Sequence, residues 1–161
     1  MLKKLLIGIF TAGAAAASPA TTHHVFGNNV FSLDAPAIFT RNAGTETFQL
    51  VATDDLAAIT ATAYAKADGS LDEFCDYRFS TVEDFYRAIS GPRVFQAAQA
   101  SGKTQEFEGT WPGESRPTYY VVSCLQTGNA YVSLNIVTTR QHYAAYRAQY
   151  DAMLESIRPG T

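Results

Sequence analysis

Three histidines, two cysteines and a scatter of carboxylates are the residues of this sequence whose types could do chemistry. Thr21-Thr22-His23-His24 stands near the N-terminus. If a leader ends at Ala20, the new chain opens Thr21-Thr22-His23. An α-amine, two amide nitrogens and a third-position imidazole can then wrap a square-planar ion, a geometry that suits copper or nickel as Cu(II) or Ni(II). His24 could add an axial contact. The competing reading is two solvated histidines on a frayed end, with no cofactor. His142 would need a nucleophile and a carboxylate beside it for covalent catalysis. Ser123 and Cys124 are candidate nucleophiles, but no nucleophile-elbow glycines flank them. No catalytic residue is therefore expected. Asp72, Glu73, Asp76, Glu83 and Asp84 could pair for acid–base chemistry or hold calcium, but they lack calcium-loop spacing and fit the solvated face of a helix.

The cysteines carry a different chemistry. Cys75 and Cys124 are the only two. In an oxidising compartment an even pair reads as one disulfide; the alternative is two buried thiols. Their spacing suits neither a zinc site nor a redox motif.

The strongest candidate for recognition is Trp111-Pro112-Gly113-Glu114-Ser115-Arg116-Pro117. Two prolines limit its freedom, so it would lose little entropy on binding. It carries the chain's only Trp, and Trp and Arg are enriched at binding hot spots. Trp111, Glu114 and Arg116 are the expected partner-binding residues, against a reading in which Trp111 plugs the core under the sheet edge. Tyr143, Tyr146 and Tyr150 form a stripe at helical spacing, either an amphipathic face burying itself or the wall of a ligand cleft.

These residues need a scaffold and an address. The first twenty residues have the three-part build of a secretory signal peptide. Met1-Leu2-Lys3-Lys4 is basic, Leu5 to Phe10 is apolar, and small residues run to Ala20. The alternative is an N-terminal anchor helix. With no Cys before residue 75, lipid attachment at the cleavage site is excluded. Residues 21–161 are then expected to form one periplasmic or secreted domain with no stable membrane span. The 161 residues are 47% hydrophobic and 17% charged, which excludes a disordered chain. The formal charge of −3 argues against a nucleic-acid partner.

Hydrophobic periodicity supplies the elements. Thr21 to Phe26 reads as a mobile or edge segment, Gly27-Asn28-Asn29 as a turn and Val30 to Leu33 as a strand. Thr45 to Thr53 and Ala57 to Ala65 alternate around Asp54-Asp55 and predict a hairpin. Ser70-Leu71-Asp72-Glu73 fits a capping box. The apolar face that follows, from Leu71 to Ile89, predicts a helix of about five turns that could break at Ser80-Thr81. Arg93 to Lys103 reads as a short helix or loop, Thr104 to Gly109 as a strand. Thr118 to Leu125 and Ala130 to Val137 are strongly β-prone, and Thr138 or Thr139 can cap a last helix ending at Pro159. Short connections and this order imply an α+β fold, an antiparallel β-sheet with two main helices packed on it.

This order resembles the PsbP/DcrB-like α+β sandwich. The resemblance rests on Val30-Phe31-Ser32-Leu33-Asp34-Ala35-Pro36, on the Phe48 to Tyr64 hairpin, and on Tyr131-Val132-Ser133-Leu134-Asn135-Ile136. It extends through the closing helix from Tyr143 to Met153-Leu154-Glu155-Ser156-Ile157. The family includes photosystem accessory proteins, bacterial envelope proteins and secretion-effector chaperones. The resemblance implies a non-catalytic accessory or protein-binding role and offers no catalytic residues. The sequence departs from DcrB-like lipoproteins in lacking their lipid-attachment Cys. The expected function is an exported module that binds an envelope or secreted protein, as an accessory subunit, periplasmic chaperone or immunity/inhibitor protein. The alternative is a small-ligand or copper- or nickel-handling protein.

Overall fold

A computed structural model describes residues 19–42, 48–66, 69–110 and 115–160. The expected leader therefore lies almost wholly outside the described residues. Among these, no helix is long and apolar enough to cross a membrane.

The chain opens with β1 (Thr21–Phe26), β2 (Phe31–Pro36), β3 (Phe39–Asn42), β4 (Phe48–Ala52) and β5 (Ala58–Ala65). Then come α1 (Leu71–Glu83), β6 (Arg87–Ala88), β7 (Arg93–Gln96), β8 (Ser101–Thr110), β9 (Pro117–Thr127) and β10 (Ala130–Thr138). It closes with α2 (Arg140–Ala145), α3 (Arg147–Glu155) and β11 (Arg158–Pro159). The large antiparallel sheet has the order β3-β4-β5-β10-β9-β8-β6, with β7 also paired to β8; β1-β2-β11 forms a small second sheet.

Strand alternation sorts the side chains into two cores. One face of the large sheet presents Leu50, Ile59, Val132, Leu134 and Ile136 to Phe31 and Leu33 of β2 and to Tyr150, Met153 and Leu154 of α3. The other presents Phe107, Val122 and Cys124 to Cys75, Phe79 and Val82 of α1. Cys75 and Cys124 are bonded there, both fully buried, so α1 is tied to a central strand.

Three expectations are corrected in detail. The capping box forms: Ser70 Oγ accepts from the Glu73 amide at 3.2 Å, and Glu73 Oε2 accepts from the Ser70 amide at 2.7 Å. The helix, however, stops at Glu83. Ser80 and Thr81 both donate their hydroxyls to Tyr77 O, at 2.9 and 2.8 Å, a local bonding that competes with the helical ladder. Tyr86 then stacks on Tyr120 and fills the space above Gly109, where a Cβ would meet its ring at 2.6 Å. Phe85, within the stretch predicted to be helical, is 65% exposed.

The stretch from Arg93 to Lys103 is a hairpin, not a helix or loop. Arg93 pairs with Thr104, and Gln96 with Ser101. Gly102 permits the approach of β9, since a Cβ there would lie 2.0 Å from the Cys124 carbonyl oxygen. The last helix is two: α2, capped by Thr139 Oγ1 accepting from the His142 amide at 3.1 Å, and α3, separated at Tyr146, where φ is −108°.

β1 is an edge strand, paired from Thr21↔Pro36 to Phe26↔Phe31. Asp34 of β2 joins β1 to β11. Arg158 grips its two oxygens at 3.1 and 3.2 Å, and His23 Nδ1 lies 2.7 Å from Oδ1. Arg158 foremost, with His23 behind it, holds this carboxyl below its ordinary pKa against the opposing effect of partial burial. A depressed native pKa means the pairing stabilises the fold above the unfolded value of about 4 and is lost as pH falls through the native one. Denaturant titrations of wild type and Asp34→Asn should therefore show a stability gap at neutral pH that closes below about pH 4. A gap unchanged into strong acid would show that this pairing contributes nothing.

Candidate functional site

The β8–β9 hairpin sets up the most chemically differentiated surface. Its ladder runs from Ser101↔Gln126 to Thr110↔Pro117, so the 111–116 connection springs from the end of a long paired stem. Trp111 and Glu114 lie outside the described residues. Arg116 is exposed and, among the described residues, makes no ion pair. An open cleft borders the stem on each side. One, of about 320 Å³, is walled by Arg87, Glu108, Thr110, Thr118, Tyr119 and Arg140. The other, of about 270 Å³, is walled by Asp55, Leu56, Arg116, Thr118 and Thr139 among others.

The first cleft rests on an ion network that the sequence reading missed. β8 alternation puts Glu106 and Glu108 on one face, opposite Phe107, and that face meets α2 and α3. Glu106, mostly buried, accepts from Arg93 Nη2 at 2.8 Å and Arg147 Nη1 at 3.4 Å. Its other oxygen accepts from the Tyr119 hydroxyl at 2.5 Å. Glu108 accepts from Arg140 Nε at 2.6 Å and from Arg87 Nη2 at 3.5 Å. The Tyr119 ring lies under Arg140, 5.7 Å from Cζ, and packs on Tyr143, whose ring lies 5.2 Å from Arg147 Cζ. Burial, then the hydrogen bond to Glu106, pushes the Tyr119 hydroxyl well above its ordinary pKa; burial pushes Tyr143 to about 12. Both stay protonated at neutral pH, and Tyr119 serves Glu106 as a donor, not a base. The available signals were the i, i+2 glutamates on a strand and the seven-residue step from Arg140 to Arg147 on the closing helix.

The structure separates the residues that covalent catalysis would have joined. Ser123, fully buried, donates to Thr104 Oγ1 at 3.2 Å, and Cys124 is in the disulfide. His142 is buried on α2, with Nε2 3.3 Å from Asp54 Oδ2 and Nδ1 3.2 Å from the Tyr150 hydroxyl. Tyr143 and Tyr150 are core residues, stacked at 5.4 Å.

Thr21, Thr22 and His23 lie in β1. His23 Nδ1, the atom a square-planar ion would need, faces Asp34 and stands 2.9 Å from Arg158 Nη2. His24 is buried on the opposite side of the strand, so it does not back His23. Among the described residues no group of three or more His, Cys, Asp or Glu could hold a metal ion. On α1, Asp72 pairs with Lys103 at 2.9 Å, Glu73 serves the cap, and Asp76 and Glu83 face solvent, as does Asp84 just after the helix.

No protein-family model matches the sequence, and no match was found among the curated proteins. The fold is nonetheless recognisable as PsbP/Mog1-like. The chain is similar to LpqN of Mycobacterium tuberculosis, described as involved in cell envelope biogenesis, with TM-score 0.62 and 11% identity, covering 88% of this chain and 91% of LpqN. It is also similar to the cyanobacterial PsbP of Synechocystis, with TM-score 0.61 and 10% identity over 94% and 99% of the two chains. A third is the Ran-binding protein Mog1p of Saccharomyces cerevisiae, with TM-score 0.59 and 12% identity over 88% and 96%.

Proposed function

We propose that this chain is an exported, non-catalytic protein-binding module. It would act in the periplasm or outside the cell as an accessory subunit, chaperone or immunity/inhibitor protein, and bind an envelope or secreted protein. The observation that carries this reading is the β8–β9 stem. The β8–β9 ladder ends between two open clefts, and the residues that join its strands include Trp111, Pro112, Glu114 and Arg116, a composition that suits a preorganised binding loop. The bonded cysteines fit an oxidising compartment, and the basic-apolar-small leader fits export. LpqN and Mog1p, by their descriptions, work in envelope biogenesis and in binding another protein, and so lend the same reading support.

The test is a crosslinking pull-down from the native cell envelope with the processed, oxidised protein as bait. One stoichiometric partner is expected, and the combined Trp111→Ala and Arg116→Ala variant should lose it while keeping its unfolding midpoint. Two anchors of this kind are together worth at least about a hundredfold in affinity. No enrichment above control, or capture that survives both substitutions, would rule the loop out.

A further inference from the structure

The cleft beside the loop stem carries its own indication of what it binds. Arg87 and Arg140 converge on one carboxylate, Glu108, the only acidic residue on that wall among the described residues. Arg140 is held firmly, through two nitrogens and the Tyr119 ring beneath it. Arg87 is not: its Nη2 reaches Glu108 only at 3.5 Å, the outer limit of a hydrogen bond, and its side chain is 76% exposed. Arg140 is 67% exposed and Glu108 29%. Each guanidinium has five donors in a planar fork, so two of them on one carboxylate leave most donors turned to water.

The neighbouring pair behaves differently. Glu106 is only 15% exposed, is saturated by Arg93, Arg147 and the Tyr119 hydroxyl, and fixes the wall from below. Across the network four arginines face three carboxylates, Asp151 being the third; on the far side of the stem Arg116, which makes no ion pair among the described residues, shares its cleft with Asp55. A chain of formal charge −3 thus presents a local positive surface beside its loop. The small cleft, with two arginines set around a single carboxylate, matches a side chain, and the overall negative charge repels a long polyanion.

We propose that the Arg87–Glu108–Arg140 cleft recognises a carboxylate-bearing segment of the partner protein, an Asp- or Glu-rich strand or loop, with Glu108 holding its place in the unbound chain. This rests on the binding-module reading and names the chemistry of the partner. The incoming carboxylate takes Arg87 first and competes with Glu108 for Arg140. Glu108 is then an internal competitor, and its removal should help binding, which no structural role for the network would do.

The probe is a short fluorescein-labelled peptide of alternating Glu and Gly, titrated by anisotropy with the processed, oxidised protein. Saturable binding is expected, weakening as salt is raised. Arg87→Gln combined with Arg140→Gln should lower the affinity about tenfold or more. Glu108→Gln should raise it about threefold or more, because the arginines no longer have an internal partner. A Lys-Gly peptide should not bind. Unfolding midpoints close to wild type would show that these exposed substitutions keep the fold.

Three results would overturn the inference: no binding of the Glu peptide, no loss in the double arginine variant, or no gain from Glu108→Gln. If the pull-down still returns a partner lost on Trp111 and Arg116 substitution, the binding module stands and only its acidic specificity falls. If the peptide binds as expected but no partner is captured through the loop, the cleft is real and the loop reading fails.

Discussion

Replacing Cys75 and Cys124 together by alanine should lower the unfolding free energy by about 4 kcal/mol. The bridge closes a segment spanning 49 residues, and cross-linking that length removes entropy from the unfolded chain. For a domain of this size the unfolding midpoint should fall by roughly 10–15 °C. The bridge also sits where little else could replace it. It joins α1 to β9 in the smaller core, whose other buried side chains are few, Phe79, Val82, Tyr86, Phe107 and Val122. Scanning calorimetry with and without reductant checks this. The wild type should drop to the variant's midpoint when reduced, and the variant should ignore the reductant. An unchanged midpoint in wild type whose two thiols are shown alkylatable would defeat the argument. The consequence reaches the surface, because β9 runs from the bridge to Pro117, Thr118 and Tyr119 in the clefts. A chain kept reduced would hold its loop stem on a loosened helix layer.

The parts of this fold written in local pattern were legible. β4 and β5 alternate around Asp54-Asp55, and Asp55 takes the positive φ that a tight turn needs. The Ser70–Glu73 box starts α1 where two reciprocal bonds form. Elements decided by distant partners were not legible. Nothing local distinguishes a helical Tyr86 from one that leaves the helix to stack on Tyr120 over Gly109. β7 holds only Val94 and Phe95 as β formers, the 97–100 connection is Ala and Gln, and β8 opens on Ser101-Gly102-Lys103, so this hairpin shows little β signal of its own and depends on β9 pairing with β8 past Gly102. The candidate site divides in the same way. Two prolines and the sequence's one Trp single out the 111–117 stretch in the sequence itself. The arginine network needs β6, β8, α2 and α3 assembled before Arg87 and Arg140 meet Glu108, and Asp34 shows the same dependence by joining His23 to Arg158 across nearly the whole chain.

Tyr150→Ala should be among the most damaging single substitutions, with a loss of about 3–5 kcal/mol in a denaturant titration. Tyr150 is fully buried on α3, between Phe39 of β3 at 6.1 Å and Tyr143 of α2 at 5.4 Å. Its hydroxyl meets the buried His142 Nδ1 at 3.2 Å. Truncation removes the ring from both stacks and leaves a cavity where the helices dock on the sheet. Tyr150→Phe separates the two contributions. It keeps the ring and deprives a buried imidazole nitrogen of its partner, which costs about 1–3 kcal/mol. Phe as costly as Ala would show that the hydroxyl dominates; a loss under about 1 kcal/mol for both would show that the ring anchors nothing. The same residue connects core to surface, since Tyr143 stacks on Tyr150 on one side and packs on Tyr119 on the other, and Tyr119 underlies Arg140. Tyr150→Phe should therefore leave the acidic-peptide affinity as it is. Tyr150→Ala, measured where it remains folded, should weaken that affinity, because the shelf that holds Arg140 over the cleft is no longer packed from behind.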